Sequence, residues 1–269
     1  GFKCKLSMIF IFKTHCYPSI SIMNKLLIFF VALLSTNSWG YNSEINKGDW
    51  ILRSGYTFLL PQFSNDSQIG MARFGMPTFS FSYLMTDNIG IEFLTGLPSE
   101  IDIYNKSMGE EAKIASFISL SPNATMQYYF KPKDSDFRPY VGLGLIYSSF
   151  HKEKSLGILS GANFKLKKSL DPIFQTGFDY VVNEKISLNL DVRKLKTSSG
   201  ASVTELHKTI MGPYAPQRID YEMGMQPITV SFNFTWLFHN PKKLREKRTL
   251  QERVTLKQKR KTIRAIRDI

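Results

Sequence analysis

Six charged residues fall at positions where they could do chemistry together: Arg53, Glu92, Arg138, Asp179, Asp191 and Arg193, three of each sign. Each sits in a segment of alternating apolar and polar residues, on the polar parity. Grouped inside a closed sheet, they would form either a polar gate with a proton-linked pathway or a salt-bridged plug. The plug is favoured, because eight strands leave an interior just wide enough for side chains and paired burial satisfies charges that are otherwise costly. Other chemistry is sparse. His151, His207 and His239 show no metal-ligand spacing such as His-x-x-x-His with a carboxylate. No nucleophile with a neighbouring base marks an enzyme, and Gly142-x-Gly144 lies within a strand pattern rather than a phosphate loop. The residues imply no cofactor and no bound metal.

The elements that must position these charges are strands. Gln226 to Phe238 places Ile228, Val230, Phe232, Phe234, Trp236 and Phe238 on one parity and Pro227, Thr229, Ser231, Asn233, Thr235 and Leu237 on the other. Successive strand side chains point to opposite faces, so one face is aromatic and the other small and polar. That pattern fits a membrane-spanning strand, which needs about 9–11 residues and ends in an aromatic girdle. Seven further segments agree: 50–60, 76–85, 89–96, 116–130, 137–150, about 170–182 and 185–194. Their connectors alternate in length. Short turns are expected at Asp87-Asn88, at Lys131 to Asp136 and at Asn183-Glu184, and long loops at 61–75, 98–115, 152–169 and 197–225. The expected fold is therefore all-β, an eight-stranded antiparallel transmembrane barrel with short periplasmic turns and long extracellular loops. Closure removes the edges that lipid does not tolerate. A soluble lipocalin-like barrel would turn its apolar faces inward, whereas here only the small polar faces fit a narrow lumen.

The ends differ from this body. Lys and Arg number 4 in residues 1–40, 19 in 41–238 and 12 in 239–269, against 0, 19 and 3 Asp and Glu. The body is neutral and the overall +13 belongs to two basic ends, so the charge does not imply nucleic acid. Met23 to Gly40 has one lysine, nine apolar residues and then small polar ones, the order of a signal peptide with cleavage near Gly40. Residues 1–22 are expected to be an over-extended start; Cys4 and Cys16 both lie there. No other run approaches the ~18 apolar residues of a transmembrane helix. The expected location is the bacterial outer membrane, after export. Residues 239–269 form a basic periplasmic tail, either solvated or bound by charge to an anionic partner such as cell-wall polymer or phospholipid headgroups.

The chain resembles the OmpW family of small outer-membrane barrels. The carriers are Gly48-Asp49-Trp50, Tyr83 to Glu92 across the first turn, Gln127-Tyr128-Tyr129-Phe130, Phe137-Arg138-Pro139-Tyr140-Val141-Gly142-Leu143-Gly144, Gly177-Phe178-Asp179-Tyr180, and Pro227 with Phe238. The resemblance implies an eight-stranded barrel with a hydrophobic lumen, no catalysis, and passage of small apolar solutes. It also implies a lumen constriction at Leu94, which alternation places inward, and a companion at Leu170, where the family has a large aromatic and where alternation points to lipid unless a bulge intervenes. Trp236 and Phe238 match the closing signature read by the outer-membrane insertion machinery. In the resembling family Phe238 would end the chain, whereas 31 residues follow it here. Apolar residues in the expected loops, Phe63, Ile69, Phe74, Ile158 and Leu159, suggest a funnel, with Pro139 and Pro227 as places where weakened ladders could let a solute out sideways. The alternative is a structural or adhesive barrel with a plugged lumen and no transport.

Overall fold

The computed structural model describes residues 45–62, 69–108, 112–130, 136–183, 185–241, 249 and 252–260. The signal segment, residues 1–22, Phe63, residues 131–135 and Glu184 lie outside the described residues. Among the described residues, fourteen strands carry the fold: β1 (Trp50–Leu60), β2 (Ile69–Met71), β3 (Phe74–Leu84), β4 (Ile89–Gly96), β5 (Ser99–Asn105), β6 (Lys113–Leu120), β7 (Asn123–Tyr129), β8 (Phe137–Ser155), β9 (Asn163–Leu166), β10 (Ser169–Val181), β11 (Ile186–Leu195), β12 (Thr197–Thr204), β13 (Arg218–Met225) and β14 (Ile228–Phe238). No helix among the described residues is long and apolar enough to cross a membrane.

Eight strands close a barrel in the order β1-β3-β4-β7-β8-β10-β11-β14, all antiparallel, and β14 returns to β1 with Trp50 opposite Phe238 and Leu60 opposite Ile228. Alternation turns a continuous apolar surface outward: Leu52, Phe79, Phe81, Phe93, Leu143, Leu145, Phe174 and Phe234 are all exposed. Aromatic residues gather where the short turns lie. Trp50 meets Tyr83 at 4.9 Å, Tyr128 meets Phe130 at 5.2 Å and Phe137 meets Phe178 at 4.6 Å between ring centroids. This is the interfacial girdle of a membrane barrel. The turns are held by side chains: the N–H groups of Asn88 and Ile89 donate to Thr86 Oγ1, and those of Lys185 and Ile186 donate to Asn183 Oδ1.

The long connections are not loops. β8 runs for 19 residues, roughly 60 Å at a strand's rise, about twice a membrane's hydrocarbon core. Its upper half pairs with β6, which pairs with β5, which pairs with β2. A second sheet, β9-β12-β13, lies apart from the barrel ladder. Met71, Ile101, Ile103, Ala115 and Phe117 from the first sheet share one buried cluster with Phe164, Leu166 and Ala201 from the second. The two sheets thus form a cap on the extracellular rim. The expected single strand at 116–130 is two, β6 and β7, both along the same edge of β8. Ser121-Pro122 breaks it because proline donates no hydrogen bond, while the Pro122 carbonyl accepts from Tyr147 N–H at 2.9 Å. Pro98 separates β4 from β5, and Pro227 separates β13 from β14. Proline marks where the wall becomes cap.

Candidate functional site: the layered lumen

Inward positions stack in layers along the barrel axis. At the periplasmic mouth, Ile45, Ile51, Leu84, Tyr129, Tyr140 and Leu237 form a closed apolar cluster. Next comes the charged layer, which brings together the expected lumen residues. Arg53 of β1 donates from Nη1 to Glu92 Oε1 at 3.1 Å, and from Nη2 to Asp179 Oδ2 at 2.8 Å. Arg193 of β11 donates from Nη2 to Glu92 Oε2 at 2.7 Å and from Nε to Asp191 Oδ1 at 2.7 Å. The order Asp179-Arg53-Glu92-Arg193-Asp191 alternates in sign. All five are buried, and Arg138 adds a third cation on the inner face, opposite Asp179 in register. Three cations against three anions leave the layer neutral, as burial requires.

Neutral residues complete the layer, and the sequence reading named none of them as a site residue. Gln175 donates from Nε2 to Glu92 Oε2 at 3.0 Å and to Asp191 Oδ2 at 2.7 Å. Tyr140 OH donates to Asp191 Oδ2 at 2.7 Å, its ring lying 5.3 Å from the Arg53 guanidinium carbon. Tyr129 OH accepts from Arg53 Nη2 at 3.0 Å and donates to Gln127 Oε1 at 2.7 Å. Asn189 donates to Asp179 Oδ1 at 2.9 Å, and Asn123 Oδ1 accepts from Arg193 Nη1 at 2.6 Å. The signal for the tyrosines was present: Tyr129 and Tyr140 occupy the inward parity, and a buried tyrosine hydroxyl needs a partner. Gly177 lies opposite Tyr140, and a Cβ there would stand 2.6 Å from its hydroxyl. Glycine is what lets that ring lie across the lumen.

Above the charges, Thr57 bonds Thr78 at 2.7 Å and Ser231 at 2.8 Å. Above these opens a cavity of about 110 Å³ lined by Leu59, Phe74, Leu94, Ile146, Ile173 and Leu195 from the barrel and by Met71, Ile101, Phe117 and Leu166 from the cap. Arg193 and Asn123 touch it from below. Leu94 points into this chamber and is 9% exposed. Leu170 does not. It pairs with Tyr147 in unbroken register and is 63% exposed on the outer face, so the expected second constriction residue is corrected: no bulge reverses its parity, and Asp171 and Ile173 are the inward residues there. Of the expected funnel residues, Ile69 and Phe74 pack against the cap cluster, and Ile158 and Leu159 lie in a 3-10 turn. Pro227 lines the chamber. Pro139 sits opposite Phe178 at the periplasmic end, with the charged layer between it and the chamber, so it is no exit from it.

Among the described residues, the histidines His151, His207 and His239 lie apart from this layer. His239 belongs to a clasp at the periplasmic rim, where buried Asp49 accepts from Asn240 N–H at 2.8 Å and Asn46 N–H at 2.9 Å and lies 3.1 Å from His239 Nδ1. Burial pushes the Asp49 carboxyl up, but the hydrogen bonds of His239, Asn240 and Asn46 outweigh it and hold it below its ordinary range. Trp236 and Phe238 stand on the outer face beside this clasp, 37% and 56% exposed.

Residues 47–256 match the family model of the OmpW family, a match that runs past Phe238 into the tail. Outer membrane protein W of Vibrio cholerae serotype O1 is 32% identical over 157 residues, 54% of this chain and 72% of that protein. Outer membrane protein W of Escherichia coli strain K12 is 34% identical over 137 residues, 48% of this chain and 57% of that protein, so the similarity spans little more than half of that relative's length. The crystal structure of OprG from Pseudomonas aeruginosa superposes with a TM-score of 0.62 at 22% identity, covering 74% of this chain and 99% of that one, and shares its fold.

Proposed function

The chain belongs to the OmpW family of outer-membrane barrels, and from that membership we propose that it lets small hydrophobic molecules pass across the outer membrane by way of the chamber above the charged layer. The observation that carries this reading is the stacking of an apolar cavity on a closed ionic floor. A solute entering from the cap meets Phe74, Leu94, Phe117 and Ile173 and gains by leaving water. To continue straight down it would have to separate Arg53, Glu92 and Arg193, which offer an apolar molecule nothing in return. The route of lower resistance is sideways, through the wall into lipid. Pro227 supports it there: it lines the chamber, has no N–H to give, and holds β11 only by accepting from Leu195 N–H at 3.0 Å. In this reading Leu94 sets the width of the chamber, the six lumen charges are a barrier rather than a pathway, and no catalysis or cofactor takes part. Trp236 and Phe238 serve as the signal for the insertion machinery. Uptake of a hydrophobic fluorescent probe into vesicles containing the folded barrel tests the proposal, with Leu94→Trp as the blocked variant.

The cap favours a second reading. Two sheets packed across the extracellular rim would suit a structural or adhesive barrel that transports nothing. Shortening β12 and β13 separates the two: an adhesin loses its function with the cap, whereas a conduit keeps its uptake.

A further inference from the structure

We propose that the helix following the barrel docks on anionic phospholipid headgroups of the leaflet at the periplasmic rim. The inference rests on the barrel's place in the outer membrane and is independent of what the lumen transports. Residues 252–260 are helical and exposed throughout. Arg253, Lys257 and Arg260 recur at i, i+4 and i+7, which sets them on one face. Glu252 is the single acid of that stretch, and from Arg260 the sequence repeats the same spacing at Arg264 and Arg267. A charged stripe this regular is laid out for a flat or linear anion rather than for one point charge.

The place where the chain leaves the barrel selects the lipid. Asp49 fastens His239 and Asn240 to the rim, next to Trp50, Trp236 and Phe238 on the outer face. That aromatic belt lies at headgroup level. Between Pro241 and Glu252 the chain can extend at most about 40 Å, so the helix is confined to the neighbourhood of the bilayer surface. A tether of that length keeps the local headgroup concentration high. Each Lys or Arg reaching an anionic bilayer surface strengthens attachment by about fivefold. Charge, periodicity and tethering point to one occupant, the headgroup layer beside the rim from which the chain leaves.

The test uses the full chain in nanodiscs, with Cys4 and Cys16 replaced by serine and a fluorescent label at Val254→Cys, which is exposed and off the basic stripe. Quenching by a headgroup-attached quencher is expected in discs containing phosphatidylglycerol and not in pure phosphatidylcholine. Raising salt from about 0.1 M to about 1 M, which shortens the Debye length from ~10 Å to ~3 Å, should abolish it. The triple variant Arg253→Gln, Lys257→Gln, Arg260→Gln should lower the bound-to-free ratio on the order of a hundredfold. Heat-dependent gel mobility confirms in each case that the barrel is folded. Equal quenching in the two lipids, or an unaltered triple variant, overturns the proposal. So does displacement of the helix from phosphatidylglycerol discs by purified cell-wall sacculi, which would make the polymer the partner.

Discussion

Arg53 and Asp179 are 126 residues apart in the chain and meet at 2.8 Å inside the barrel. The first comes from the opening strand and the second from the sixth strand of the barrel wall, and Tyr129, Glu92 and Ser82 fill the remaining donor directions of the guanidinium. Removing the cation alone leaves two buried carboxylates facing each other, which for a buried pair typically costs about 3–5 kcal/mol. Arg53→Ala is therefore expected to lower the denaturant midpoint of the folded barrel sharply. Replacing Arg53 and Asp179 together by apolar residues of similar volume should cost far less, because the two cations and two anions that remain still balance and Glu92 keeps Arg193. Urea titration of both variants in lipid vesicles compares the two.

Leu94 and Leu170 make a matched pair of probes because they occupy opposite faces. Leu94→Trp fills the chamber and should cut uptake of an apolar probe several-fold, while Leu170→Trp adds an aromatic to the lipid face and should leave uptake unchanged. Stopped-flow uptake into vesicles of matched protein content measures both. Uptake unaffected by Leu94→Trp would remove the lumenal route.

Asp49 gives the rim a definite pH response. Its carboxyl lies below the ordinary range in the folded barrel, so it binds a proton less readily folded than unfolded. The stability it contributes is complete above the unfolded value near ~4 and is lost as pH falls through the lower folded value. Asp49→Asn should flatten the acid side of the stability profile below about pH 4. Denaturant midpoints measured from pH 7 downward on both proteins check this.

The closing strand predicts a dissection of assembly. A chain ending at Asn240 keeps the Asp49 clasp and both outer aromatics, and should insert as the full chain does. Trp236→Ala or Phe238→Ala removes an interfacial side chain and is expected to reduce the yield of folded barrel severalfold. Heat-modifiable gel migration of membrane fractions reads the yield.

A charge on the outer face would confirm sidedness. Leu143 is 58% exposed to the outside, and Leu143→Arg should cost about 2–4 kcal/mol if it lies at the bilayer midplane. The same substitution at Ile210, 82% exposed and beyond the wall strands, should be near neutral. Equilibrium unfolding in vesicles distinguishes the two sites.

Most of the wall was legible because alternation is a strong signal wherever one face meets lipid. Seven segments have wall-strand counterparts within a few residues, and the six charges all lie inside. Their pairing was not legible. Which guanidinium meets which carboxylate depends on register and shear, which one strand's sequence does not contain. The cap escaped for a different reason. Thr197 to Thr204 is almost wholly small and polar, and β2 and β9 have three and four residues, too few to show a period. Ser99 to Asn105 did alternate, with Ile101 and Ile103 turned to the cap core. Leu170 shows the opposite lesson: a family correspondence drew it inward, and its own parity had it right.

The ionic layer draws its members from β1, β4, β8, β10 and β11, and β1 is linked to β11 only when β14 pairs with both. A one-residue slip in any of them would turn a cation or an anion out to lipid. The layer therefore acts as a checksum on assembly. It is complete only for a barrel closed in the correct register, so a misjoined barrel is left with an unbalanced charge and is the less stable for it.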